Sequence, residues 1–218
     1  IYNTYLFRAT VSGKCAAPAV STNAELTVHD RPEITTQPID TTKCEQDTVI
    51  FTVDAGVTTG AAYTWQYYNG ASWLSLTAAV YEGQNDDTLR INGISSGLNG
   101  TNYRVIISGA CSPDKISDEV TLTVHERPEI SGAPANQTIC EDDDALFGIS
   151  TGVTTSPTVS WEYNDGAGWS SATGGIFTTN AAGDTLYLTG AGSSWDNTDF
   201  RATVSNGCGP DAVSTKAT

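Results

Sequence analysis

The sequence predicts an all-β fold, with β-sandwiches following one another along the chain, on three observations. First, the stretch His29-Asp30-Arg31-Pro32-Glu33-Ile34 returns as His125-Glu126-Arg127-Pro128-Glu129-Ile130, and the same 96-residue interval relates Cys44 to Cys140, Gly56 to Gly152, Trp65 to Trp161 and Trp73 to Trp169. Second, short stretches inside each interval alternate apolar and polar residues with period two, between clusters of Gly, Asn, Asp and Pro. Third, no stretch carries the apolar spacing of a helix.

The elements follow in order through the second copy. A first strand over 34–36 and 39–43 is interrupted by Pro38, which an edge position tolerates because no ladder donor is lost there. Strands over 48–54, 62–68, 72–76, 88–92, 103–108 and 116–124 complete the set. Seven or more short strands in about 95 residues match the size and rhythm of an immunoglobulin-like sandwich. The expected organisation is therefore tandem immunoglobulin-like β-sandwiches in a linear array. Residues 1–30 supply the last two strands of a truncated domain, 31–126 a complete domain, and 127–218 a domain lacking most of its last strand. On this reading the chain is an internal window of a longer one.

Named positions fit that class. Trp65 and Trp161 lie in the third strand, where such folds bury a Trp against the opposite sheet. The usual inter-sheet cystine positions hold Phe51 or Val53 and Val105, so packing closes the core. Leu89-x-Ile91 and Asn99-Gly100-x-x-Tyr103 resemble the approach to a tyrosine corner, but Phe7 and Phe200 replace the Tyr elsewhere, so a corner hydroxyl bond is not general. Trp195, Leu98 and Tyr2 read as apolar plugs beneath the turn before the sixth strand.

Composition excludes several functions. Acidic residues outnumber basic ones 25 to 10, for a net charge of -15, and no Lys/Arg stripe offers phosphate contacts, so nucleic acid is not an expected partner. No apolar run approaches bilayer length, so no membrane insertion is expected. Five cysteines without a Cys-x-x-Cys, and two histidines, do not make a zinc site; disulfides formed in an oxidising compartment fit better. His29 and His125 have no nucleophile at a recurring offset, so no catalytic set is identified and no cofactor is expected.

The cysteines occupy two repeat positions: before the second strand (Cys44, Cys140) and after the sixth (Cys15, Cys111, Cys208). Pairing inside one domain, Cys44 with Cys111 and Cys140 with Cys208, would span opposite poles of a sandwich roughly 20 Å apart, whereas a disulfide needs Cα atoms within about 7 Å. Across the short joint at 127–130 the two poles should meet, which favours Cys44–Cys208, with Cys15, Cys111 and Cys140 paired outside the window. The intra-domain pairing and free thiols remain the alternatives.

Four segments carry a resemblance to a family: Cys44-Glu45-x-Asp47-Thr48-Val49-x-Phe51, Tyr63-x-Trp65-Gln66, Asn99-Gly100-x-x-Tyr103-Arg104-Val105-x-x-Ser108-Gly109-x-Cys111 and Val120-Thr121-Leu122-Thr123-Val124. In these the chain resembles the tandem Ig-like repeats of long, Thr- and Gly-rich surface adhesins of Bacteroidetes-type bacteria. The resemblance implies an extracellular, cell-surface filament of the gliding-motility class. It also implies export by a type 9-like secretion route, with neighbouring repeats and secretion or anchoring proteins as partners. It further makes Thr41, Thr48, Thr88 and Thr185, each preceded by Asp or (for Thr41) Asp40, candidates for O-glycosylation; Asp-Thr is also ordinary turn chemistry. The sequons at Asn99 and Asn136 matter only in a eukaryotic source.

Two further candidates remain. Glu141, Asp142, Asp143 and Asp144 could offer oxygens to calcium, although the preceding copy reads Glu45-Gln46-Asp47-Thr48 and a solvated turn is the plainer reading. Trp73 and Trp169 follow Gly-rich turns and could stack on a glycan ligand, or fold back over a sheet edge. The leading expectation is a non-catalytic structural and adhesive stalk. Carbohydrate-binding modules and accessory domains of a large secreted enzyme are the alternatives.

Overall fold

The structure, a computed structural model, describes residues 4–218; Tyr2 lies outside them. By its internal contacts the chain divides into two compact units. One comprises residues 4–40, Ile50–Ile91 and Asn102–Thr121, and the other Thr41–Val49, Asn92–Thr101 and Leu122–Thr218. The division cuts the second repeat and places its segments 41–49 and 92–101 with the third.

At the start of the chain, β1 (Tyr5–Phe7) pairs with β4 (Ala24–Leu26) and β2 (Thr10–Val11) with β3 (Ala19–Val20), all antiparallel. Their side chains are exposed, including Tyr5, Leu6 and Phe7.

In the second repeat the strands are β5 (Thr41–Cys44), β6 (Val49–Thr52), β7 (Ala62–Tyr68), β8 (Trp73–Ser75), β9 (Tyr81–Glu82), β10 (Thr88–Ile91), β11 (Thr101–Ser108), β12 (Lys115–Ile116) and β13 (Val120–His125). They form a sheet of order β6-β10-β9 and a larger one of order β5-β13-β11-β7-β8, with β12 also on β11. Between them pack Phe51, Trp65 and Tyr103, with Phe51 ring centroids 6.3 Å from Trp65 and 5.5 Å from Tyr103. The period-two pattern is the cause: in β11 Tyr103, Val105 and Ile107 point inward and are buried, while the residues between them are partly exposed. Burying each such side chain stabilises the fold by about 1.5–3 kcal/mol.

The third repeat holds β14 (Ile130–Gly132), β15 (Ala145–Gly148), β16 (Ser150–Thr151), β17 (Thr158–Asn164), β18 (Ser170–Ser171), β19 (Phe177–Thr179), β20 (Thr185–Leu188), β21 (Asp199–Ser205) and β22 (Ala212–Val213). Sheets of order β15-β20-β19 and β18-β17-β21-β22 enclose a core centred on Phe147, Trp161, Phe177, Leu186, Leu188 and Phe200. Trp195, at the end of a single 3-10 turn, Ser193–Trp195, packs 5.1 Å from both Tyr163 and Phe177. The buried indole N–H of each repeat is satisfied alike: Trp65 Nε1 donates to Asp86 O at 2.9 Å and Trp161 Nε1 to Gly183 O at 2.8 Å.

Three local expectations need correction. The single strand expected over 116–124 is two, β12 and β13, because Ser117 turns the chain. Its backbone N–H donates to Val105 O, and its hydroxyl accepts from Val105 N and donates to Asp118 O. The interrupted first strand is a bridge of Thr36 to Asp54 followed by β5, and β5 runs parallel to β13 with Thr41 opposite Leu122 and Cys44 opposite His125. Tyr103 does not reach a corner backbone; its hydroxyl lies 3.4 Å from that of Tyr81, in a strand (β9) that the sequence pattern does not reveal. Burial first, and then the Tyr81 hydroxyl, raise the Tyr103 phenol pKa well above its ordinary 10.0. No helix among the described residues is long and apolar enough to cross a membrane.

Candidate functional site

The repeated phrase divides its labour among its residues. Glu33 and Glu129 seat against Gly56 and Gly152: a Cβ on either glycine would overlap the glutamate carboxylate, and Gly56 additionally sits at φ +52°. Glu33 Oε1 accepts from Val57 N at 3.1 Å. The threonines of the recurring Val-Thr-Thr loop then hold the phrase by its backbone. Thr58 and Thr154 hydroxyls accept from Glu33 N and Glu129 N, each at 3.0 Å, and Thr59 and Thr155 hydroxyls accept from Asp30 N and Glu126 N at 2.9 and 3.0 Å. Ile130 opens β14 and packs on the core of the third repeat.

Arg127 is what remains, and it is the hub of the site. Its Nε donates to Glu45 O at 2.8 Å, Nη1 to Cys208 O at 3.2 Å and also to Gly209 O, and Nη2 pairs with Asp47 Oδ1 at 3.2 Å. A guanidinium suits this place because its planar fork presents several donors at once. Beside it Cys44 and Cys208 are disulfide-bonded with Cα atoms 5.5 Å apart, and Cys208 is buried. Asn206 completes the tip: its Nδ2 donates to Glu126 O and Thr155 O, and its Oδ1 accepts from Cys208 N at 3.0 Å. Every group of this clasp lies within one compact unit.

Asp47 has a second role. Its Oδ2 accepts from Cys44 N at 3.2 Å, fixing the turn in which Gln46 takes φ +68°. Of these residues only the cysteines and the Arg-Pro-Glu-Ile phrase stand out in the sequence; the signal for the threonines is the recurrence of Val57-Thr58-Thr59 as Val153-Thr154-Thr155.

Cys15, Cys111 and Cys140 are free thiols, with Cys15 and Cys140 exposed; Cys111 Sγ lies 3.6 Å from His29 O. The acidic run at 141–144 is not assembled as a calcium site, for no group of three or more potential metal-holding side chains exists among the described residues. Its carboxylates serve the turns instead: Asp143 Oδ2 accepts from Cys140 N at 3.3 Å and Asp144 Oδ1 from Gly190 N at 2.9 Å.

Both candidate stacking rings carry a cation. Arg104 Cζ lies 4.2 Å from the centre of the Trp73 ring and Arg201 Cζ 3.9 Å from that of Trp169, and Arg201 is fixed by Glu162 at 2.8 Å. Among the threonines, Thr48 is exposed with its hydroxyl 3.3 Å from Asn92 Oδ1. Thr88 and Thr185 hydroxyls donate to the Asp87 and Asp184 carboxylates beside them at 2.9 and 3.0 Å, and Thr41 lies in β5. Asn99 Oδ1 accepts from Val124 N and Asn136 Oδ1 from Thr218 N.

A cleft of about 550 Å³ in the third repeat is lined in part by Ile139, Phe147, Leu188, Trp195 and Phe200. Residues 137–140, the counterpart of β5, border it without strand structure.

No family model and no curated protein matches the chain. Solved structures do. Extracellular domains 3–5 of Drosophila OTK align over 96% of this chain and 68% of theirs, with 16% identity and a TM-score of 0.57. An I-band fragment from titin aligns over 94% of this chain and 70% of its own, with 12% identity and a TM-score of 0.63. The insect immune protein hemolin aligns over 98% of this chain and 55% of its own, with 14% identity and a TM-score of 0.58. The chain thus has the fold of tandem immunoglobulin-like domains.

Proposed function

We propose that the chain is a non-catalytic structural and adhesive stalk module, secreted and displayed outside the cell. Its domains are 31–126 and 127–218, preceded by the closing strands of another within 1–30. The clasp of Arg127, Asp47 and the Cys44–Cys208 bridge carries this reading. Domains joined by a short linker ordinarily move against each other, and a disulfide beside a many-bonded arginine removes that freedom. An extracellular setting follows from a disulfide that persists only under oxidising conditions. The resemblance of the sequence motifs supports the finer reading of a bacterial surface adhesin exported by a type 9-like route, with secretion and anchoring proteins as partners.

The stiffness is measurable. Spectroscopic labels placed at one site in 62–68 and one in 170–188 should give a narrow distance distribution in the oxidised protein, broadening in the Cys44→Ser/Cys208→Ser variant; equally broad distributions would remove the basis for the stalk. Carbohydrate binding through Trp73 and Trp169 has the weaker support, since a guanidinium already lies over each ring. A glycan array separates the readings, because a stalk module should retain no sugar.

A further inference from the structure

We infer that the turn Cys140–Asp143 is a docking socket for the arginine-and-cysteine pole of another repeat of this kind, here the Arg31/Cys111 pole of a second copy of this chain. The inference rests on reading the joint at 127–130 as a clasp, because that joint shows the same two surfaces engaged.

The socket repeats the engaged turn bond for bond. Cys140 N donates to Asp143 Oδ2 at 3.3 Å where Cys44 N donates to Asp47 Oδ2 at 3.2 Å. Asp143 N returns to Cys140 O as Asp47 N returns to Cys44 O, each at 3.1 Å. Asp142 N donates to Ala191 O and Ala191 N to Asp143 O, as Gln46 N does to Ile94 O and Ile94 N to Asp47 O. Asp142 and Gln46 share a positive φ, +65° and +68°. In the first of these turns the cysteine, the Glu45 carbonyl and the Asp47 carboxylate hold Cys208 and Arg127. In the second, Cys140, Glu141 and Asp143 offer the same three groups, and Cys140 is an exposed free thiol.

The matching pole exists on the same chain. Arg31 stands where Arg127 does, on a phrase pinned by Thr58 and Thr59 as the later one is by Thr154 and Thr155. Arg31 is exposed, Cys111 is free, and Ala110 N is tied to Thr59 O at 2.9 Å. Charge agrees, since the turn and the residue after it carry four acidic side chains, Glu141 to Asp144, against an incoming guanidinium. Among the described residues it is Cys111 that shares its pole with such an arginine phrase, so Cys111 is the preferred partner. A contact between two different surfaces of identical chains is heterologous, so it builds oligomers of more than two copies.

Sealing the contact needs a small-molecule disulfide such as oxidised glutathione. The Cys140 thiolate attacks it and expels one glutathione thiolate; the Cys111 thiolate then attacks the Cys140 sulfur of the mixed disulfide and expels the second. Two protein thiols are oxidised while one disulfide is reduced.

The test incubates the whole chain at high concentration in a glutathione redox buffer and maps its linked peptides under non-reducing conditions. Cys111–Cys140 should dominate the new linkages and produce a ladder of oligomers. Arg31→Ala should lower that linkage about tenfold, the loss of one charge-assisted bond set, while leaving Cys44–Cys208 intact. Indiscriminate pairing among Cys15, Cys111 and Cys140, indifference to Arg31→Ala, or persistently free thiols would each overturn the socket. In those outcomes an intact Cys44–Cys208 peptide keeps the stalk reading standing, and its absence removes both.

Discussion

At the scale of single residues, Arg127 is the test of the clasp. It is partly buried and donates to three backbone carbonyls besides pairing with Asp47, so Arg127→Ala should cost about 2 kcal/mol, read as a lower midpoint in chemical denaturation. Arg127→Lys should recover little of this, because a point charge cannot serve those acceptors together. Gly56→Ala should cost about 1–3 kcal/mol, for it adds a Cβ where the Glu33 carboxylate sits and forces a positive φ. Two titrations bracket the pH range. The Lys216 ammonium and then the Thr218 hydroxyl hold the Asp199 carboxyl below the usual range. Its contribution is therefore complete above the unfolded-state pKa and is lost as pH falls through the lower folded one, a dependence that Asp199→Asn should erase from acid-unfolding curves. Tyr103, raised by burial, contributes the opposite way: full below pH 10.0, lost as pH rises beyond it. The arginine phrase was readable as a recurrence, but the role of Arg127 was not, since three of its four partners are carbonyls, which carry no side-chain signature.

At the scale of elements, period-two alternation was sufficient to place β7, β10 and β11 within a residue or two, because β10 and β11 bury alternate residues and β7 buries its central Trp65. It could not locate β9, two residues long, or the break at Ser117, where a hydroxyl substitutes for ladder bonds. Nor could it show that β5 runs parallel to β13, a fact of which strands are neighbours in space. The acidic run illustrates the same limit: Asp143 and Asp144, adjacent in sequence, accept from two different turn N–H groups. Trp73 and Trp169 were legible as a recurrence, but the arginines over their rings were not; the contact joins β11 to β8 and β21 to the residue just before β18. A double-mutant cycle of Arg201→Ala and Trp169→Ala should give a coupling of about 0.5–1 kcal/mol in thermal or chemical unfolding; additivity would mean that the ring is free to meet a ligand.

At the scale of the whole molecule, the bridge changes what a load can do. The poles of a sandwich favour Cys44 with Cys208, and those two cysteines, 164 residues apart in sequence, are disulfide-bonded. A force applied at the two ends of the chain passes through the bridge and leaves the residues between untensioned. Loss of the bridge should also lower stability by about 2–4 kcal/mol, most of it in the compact unit that contains both cysteines. If these repeats bear load through clasped joints, single-molecule stretching from the chain ends will reveal it. Under oxidising conditions the unfolding extension should fall short of that in reductant by roughly 550 Å, the extended length of the bridged segment. Equal extensions with and without reductant would contradict it.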